Sequence, residues 1–312
     1  MASELAPIDP APIDPAPIEQ APIAPALRIG PVRLAVGEIS RSVDFYERML
    51  GLAVISRDPD SALLGPDRER PALVLDGLAH PTAAPPRSTG LFHLAWLHPS
   101  RAALAATVQR VGRGRWPIEG ASDHGVSEAL YLRDPDGLGI EIYVDRPHEQ
   151  WEPGAHGHGV KMVTLPLDLE DLLACAPEEP VASIAPGTVV GHVHLKVSDV
   201  PRAAAFYRDA LGFTEQARLP SAAFLSAGGY HHHIGLNSWQ SLSGSAPPDS
   251  APGLRLIEFE LGDADALAAL QRRLRGAPGG TFSLQREVDM HGAGEHLTVS
   301  DPDGHRLSFR YA

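Results

Sequence analysis

Twice in this chain an alternating apolar–polar stretch passes into apolar positions at helical spacing, and the two occurrences can be laid over each other residue by residue. Residues 32–52, VRLAVGEISRSVDFYERMLGL, match residues 193–213, VHLKVSDVPRAAAFYRDALGF, so that Phe45 and Tyr46 fall over Phe206 and Tyr207, and Leu50 and Gly51 over Leu211 and Gly212. Each predicts a strand, a Ser/Asp-type helix start, a helix with its Phe-Tyr and Leu positions on one face, and a glycine stop. A second pair of units follows the first. GLFHLAWL at 90–97 and GLRLIEFEL at 253–261 read as apolar strands, Ala/Leu-rich helices follow at 102–111 and 264–275, and each unit closes on a DPDG turn at 134–137 or 301–304. Self-similarity on this scale predicts an α+β chain of four βαβββ modules, near 29–88, 89–147, 189–249 and 250–312.

The modules divide into an N-terminal domain (28–147) and a C-terminal domain (189–312). Residues 148–188, with Trp151, acidic residues and several prolines, suit a linker that partly packs. Residues 1–27 carry a repeated Ala-Pro-Ile-Asp/Glu-Pro theme that excludes helix and interior strand, and they are expected to form a disordered tail. This segment lacks the basic start and apolar core of a signal peptide.

Composition narrows the function. With 43% apolar residues over 312 positions there is material for real cores. The 39 acids outnumber the 26 bases, and the net charge of −13 disfavours nucleic acid and anionic membrane surfaces as partners. Cys175 is the single cysteine, so no intramolecular disulfide forms, and no apolar run is long enough to cross a bilayer. A cytoplasmic enzyme is the expectation, with assembly into a homo-oligomer left open.

The FY-x-LGF-type helix and the DPDG-x3-E ending resemble the vicinal oxygen chelate superfamily of glyoxalases, fosfomycin-resistance enzymes and extradiol dioxygenases. The likeness runs from residue 29 to 312 and implies modules joined as half-barrel pairs. More specific is His124-x5-Leu130-Tyr131-x2-Asp134-Pro135-x-Gly137-x3-Glu141, similar to the extradiol ring-cleavage signature, with Ser122 departing at its first position. The strings GHVHLKVSD, GGYHHHIGLN and EGASDHGVSEALYL are similar to bacterial two-domain catechol 2,3-dioxygenases.

In such modules metal ligands lie on the first strand, seven residues before the acid that starts the helix, and on the last strand. By that resemblance module 3 offers His192 and His233, and module 2 offers His93 and Glu141. Modules 1 and 4 are empty, with Pro31, Leu256 and Ser308 at the corresponding positions. The better-known extradiol enzymes take their ligands from modules 3 and 4, so here a composite site between modules 2 and 3 is expected. Two imidazoles and a carboxylate on one face of an octahedral ion are the arrangement of non-haem Fe(II) oxygenases.

The resemblance thus implies ring opening of a small aromatic diol by O2, a step in aromatic breakdown. His93, Glu141 and His192 would hold Fe(II), with Mn(II) as the alternative. His233 would act as acid/base or as a fourth ligand, and His124 and Tyr131 would bond the substrate oxygens. Strand alternation would turn His232 away from His233's side, while His194 and His291 read as structural. The competing readings are a glyoxalase-type isomerase or lyase, which would not call for Tyr131 and His124, and a non-catalytic binding protein, which would not keep the ligands.

Overall fold

The computed structural model describes residues 22–154, 158–276, 282–289 and 292–311. Module 1 contains β1 (Arg28–Val36), α1 (Ile39–Phe45), β2 (Ala53–Arg57), β3 (Ser61–Gly65) and β4 (Leu73–Gly77). Module 2 contains β5 (Gly90–Leu97), α2 (Arg101–Arg113), β6 (Ile118–Asp123), β7 (Ser127–Arg133) and β8 (Gly139–Asp145). The short helix α3 (Leu169–Ala174) lies in the connecting segment. Module 3 follows with β9 (Val189–Lys196), α4 (Val200–Ala205), β10 (Thr214–Leu219), β11 (Ala222–Ser226) and β12 (Ile234–Asn237). Module 4 closes the chain with β13 (Gly253–Leu261), α5 (Ala264–Gly276), β14 (Phe282–Asp289), β15 (Gly292–Ser300) and β16 (Arg306–Tyr311). His291 lies outside the described residues.

Both repeated helices widen at their Phe-Tyr pairs. α1 runs into a π-helical turn at Tyr46–Leu50 and α4 into one at Phe206–Leu211. Gly51 and Gly212 end these turns with φ of 77° and 91°, a left-handed conformation that a side chain disfavours.

Two eight-stranded sheets result, and each draws four strands from each half of the chain. One has the order β14-β15-β16-β13-β1-β4-β3-β2, the other β10-β11-β12-β9-β5-β8-β7-β6. Module 1 is therefore joined to module 4 through antiparallel β1 and β13, and module 2 to module 3 through antiparallel β5 and β9.

The DPDG turns tie the modules the other way. Tyr46 donates its hydroxyl to Asp134 at 3.2 Å, linking module 1 to module 2, and Tyr207 donates to Asp301 at 3.2 Å, linking module 3 to module 4. The first Asp of each turn also accepts backbone N–H groups within its own turn, so each buried carboxylate is satisfied.

Alternation decides what each face of the second sheet carries. Leu94 and Trp96 of β5 and Ile140 and Ile142 of β8 join the main core, whereas Ala95, Ala129 and Tyr143 pack on the opposite face. That second face bears the polar cluster described below.

The connecting segment packs through Leu172 and Ile184, both buried. Residues 23–27 depart from the expectation of a tail that buries nothing. Ile23 and Leu27 are 6% and 3% exposed, and the Ile23 N–H donates to the Gly212 carbonyl at 2.9 Å. Proline excludes helix and interior strand here, but it does not prevent an extended segment from seating two large apolar side chains.

Candidate metal centre and active-site cavity

The centre is built from one row across three strands. Ala95 of β5 stands opposite Glu141 of β8 on one side and His192 of β9 on the other. Directly paired residues share a face, so Glu141 and His192 flank a position occupied only by a methyl group, and His93 lies two residues along β5 on that same face. His93 Nε2 is 2.9 Å from Glu141 Oε2, His192 Nε2 is 3.1 Å from the same oxygen, and the two Nε2 atoms are 3.3 Å apart. All three residues are buried. Among the described residues they form the one group of three or more such donors within reach of a single ion.

The charges of the cluster are coupled. Burial alone would raise the Glu141 pKa, but His192 and His93 beside it outweigh that and hold the carboxyl well below the usual range. Burial pushes His192 down to about 4 against the opposing pull of Glu141, leaving its imidazole neutral and able to act as a ligand. An ion with bonds of about 2.1 Å to nitrogen and oxygen places neighbouring donors about 3 Å apart when they meet at right angles. The observed separations fit that requirement, and so does the donor set of two imidazoles and one carboxylate.

A cavity of about 360 Å³ opens over the cluster. Its walls include Phe92, Phe224 and Trp239 from the sheet side and Met162, Val163 and Thr164 from the connecting segment, and most of its lining surface is apolar. His124 and Tyr131 both line it, and they bond each other. His124 Nδ1 lies 2.7 Å from the Val163 carbonyl and can only donate there. In the neutral ring Nε2 then accepts the Tyr131 hydroxyl at 2.6 Å. Burial and the nearby Glu141 carboxylate push the Tyr131 pKa up, so its phenol stays protonated.

His233 requires a correction. It lines a separate depression with Tyr230 and Val190, where its Nδ1 accepts the N–H of Ala227 at 3.2 Å. His232 lines the cavity instead, its ring centroid 4.1 Å from that of His192. The physical reason is that β12 begins only at Ile234. His231, His232 and His233 lie in irregular backbone after Gly228 and Gly229, both at positive φ, so the alternation of the strand cannot be extended back through them.

His194, read from sequence as structural, also lines the cavity, and its Nε2 is buried without a partner. One sequence feature could have revealed it, and the structure adds a second. It follows His192 by two on one strand, and Gly235 opposite leaves space that a Cβ would fill, 2.8 Å from the His194 ring. Burial, and then the neighbouring imidazoles, hold both His194 and His232 well below the usual histidine range.

Comparisons with known proteins bear on the family of the chain. Residues 28–142 and 189–309 match the profile of the Glyoxalase/Bleomycin resistance protein/Dioxygenase superfamily. The chain is 40% identical over 252 residues to a catechol-2,3-dioxygenase of Bacillus subtilis (strain 168), covering 80% of this chain and 88% of the relative. It is 28% identical over 146 residues to biphenyl-2,3-diol 1,2-dioxygenase 3 of Rhodococcus globerulus, covering 44% of this chain and 73% of the relative. Among solved structures, glyoxalase I from Zea mays superposes with a TM-score of 0.57 at 16% identity, over 92% of each chain, which is a likeness of fold. Two matched segments, one in each half, and close identity along most of the length place the chain within a single family: it belongs to the Glyoxalase/Bleomycin resistance protein/Dioxygenase superfamily.

Proposed function

We propose that the protein is an extradiol ring-cleaving dioxygenase acting on catechol or a substituted catechol with O2. The observation that carries this reading is the convergence of His93, Glu141 and His192 at one point of a mostly apolar cavity that also holds a His124–Tyr131 pair. The kinship with a catechol-2,3-dioxygenase supports the same reaction class.

His93, Glu141 and His192 would hold Fe(II), with Mn(II) as the alternative ion. When bound, the ion supplies a Lewis-acidic, redox-active centre that brings diol and O2 into contact. The chain's own residues do the rest. Phe92, Phe224 and Trp239 present aromatic faces and edges to a flat ring and exclude water from it. His232, neutral and beside His192, takes a proton from a substrate hydroxyl and returns it as the ring opens. The Tyr131 hydroxyl donates its hydrogen bond to His124, which leaves the phenol oxygen lone pairs free to accept a hydrogen bond from the diol. Both oxygen atoms of O2 enter the product as the ring carbon–carbon bond beside the diol breaks, giving a semialdehyde.

The test is anaerobic loading with Fe(II), removal of excess metal, then addition of catechol and O2. A yellow ring-opened product formed with equimolar O2 uptake is expected. Unchanged catechol with no O2 uptake, from protein that has bound the ion, would overturn the assignment in favour of non-redox chemistry at the same centre.

A further inference from the structure

The strand that supplies Glu141 presents two more polar side chains on the same face, Tyr143 and Asp145, at the alternate positions of IEIYVD. They meet the irregular segment that carries His232. Tyr143 and Tyr230 hydroxyls lie 2.7 Å apart, and the Tyr230 hydroxyl donates to Asp145 Oδ1 at 3.2 Å. His231 Nε2 lies 2.8 Å from the same Asp145 oxygen, and His231 Nδ1 lies 2.8 Å from His232 Nδ1. Gly191 is part of the construction, because a Cβ there would fall 1.9 Å from the Tyr143 hydroxyl.

The direction of these bonds follows from donor and acceptor chemistry. A carboxylate oxygen that meets both the Tyr230 hydroxyl and His231 Nε2 accepts from both, so His231 carries its proton on Nε2. In the neutral ring its Nδ1 is then a lone pair. Two Nδ1 atoms 2.8 Å apart share one proton, which must come from His232.

We propose that Asp145, acting through His231, fixes His232 as the Nδ1–H tautomer and so presents an unprotonated Nε2 to the cavity. Asp145 and His231 are positioning residues, since neither lines the cavity. The catalytic consequence, that His232 meets substrate as a proton acceptor, rests on the dioxygenase reading of this cavity; the tautomer itself does not.

The experiment reads the tautomer directly. Long-range ¹H–¹⁵N correlation spectra of the full chain, labelled with ¹⁵N-histidine and loaded with diamagnetic Zn(II), report which nitrogen of each ring is protonated, with the His232 signals assigned by their loss in His232→Gln. Protonated Nδ1 is expected for His232, and protonated Nε2 for His231. In Asp145→Asn the amide can donate to His231, so the His232 proton should shift toward Nε2. In the iron-loaded form kcat should fall by about 10- to 100-fold with KM changed far less, the usual effect of losing a partner that orients an active-site group. Protonated Nε2 on His232 in the unsubstituted protein would overturn the proposal, whether or not Asp145→Asn folds. An unmoved His232 signal in folded Asp145→Asn would overturn it too. Protonated Nδ1 in a protein inert toward catechol would support it while removing the dioxygenase reading.

Discussion

Asp134 and Asp301 occupy the same position of the two DPDG turns, yet their carboxyls are perturbed in opposite directions. Burial raises Asp134 to about 6, with Asp136 adding to the rise, and its own turn N–H groups only partly offset this. Burial would raise Asp301 as well, but His305 stands at the position equivalent to Leu138, and its Nδ1 lies 2.8 Å from the carboxylate and holds it low. The sign of the linkage follows. A carboxyl whose folded pKa is raised contributes stability that is fully present below its ordinary pKa of 3.8 and is lost as pH rises through about 6. Asp134→Asn, which keeps a turn acceptor without the charge, should therefore gain melting temperature relative to the parent protein as pH rises from 3.8 through about 6. A difference that does not change with pH would contradict this account. His232 gives a second residue-scale prediction. His232→Gln should retain the metal but slow turnover by about 10² to 10⁴-fold, the usual contribution of a general acid or base, whereas His233→Gln should have a much smaller effect. Resemblance to modules that carry ligands on their first and last strands singled out His93, Glu141 and His192. Strand alternation could not separate three consecutive histidines in a turn, because periodicity carries no information where the backbone is irregular.

At the scale of elements, the repeat was the most legible feature. The helices expected at 102–111 and 264–275 run from 101 to 113 and from 264 to 276. The π-helical turns after α1 and α4 were not legible, since Phe-Tyr and Leu spacing fits α and π geometry alike over so short a run. The N-terminal boundary was displaced for a different reason. Proline density describes backbone preference, not whether a neighbouring groove can accept Ile23 and Leu27. Full burial of such a side chain is worth about 1.5 to 3 kcal/mol, an upper estimate here. A chain beginning at residue 28 should accordingly melt several degrees below one beginning at residue 22, as thermal denaturation by circular dichroism would show. Equal melting temperatures would mean that the two side chains contribute nothing to the fold.

At the scale of the whole molecule, the sheets join modules 2 and 3 while the DPDG turns join modules 1 and 2, and 3 and 4, so neither half of the sequence is bonded only to itself. The absence of ligand residues from modules 1 and 4 was readable in the sequence, and it favoured the composite pairing that the sheet order contains. Less readable was how far the connecting segment would contribute. Met162 and Val163 reach the cavity, and the Val163 carbonyl orients His124. The central claim is a single ion held by donors from both halves of the chain. Its most direct test is the metal content of the full-length protein, measured after Fe(II) loading and desalting, for the parent chain, Glu141→Ala and His192→Ala. One ion per chain is expected in the parent protein, with near-complete loss in each folded variant. A stoichiometric ion retained by His192→Ala would contradict the composite site.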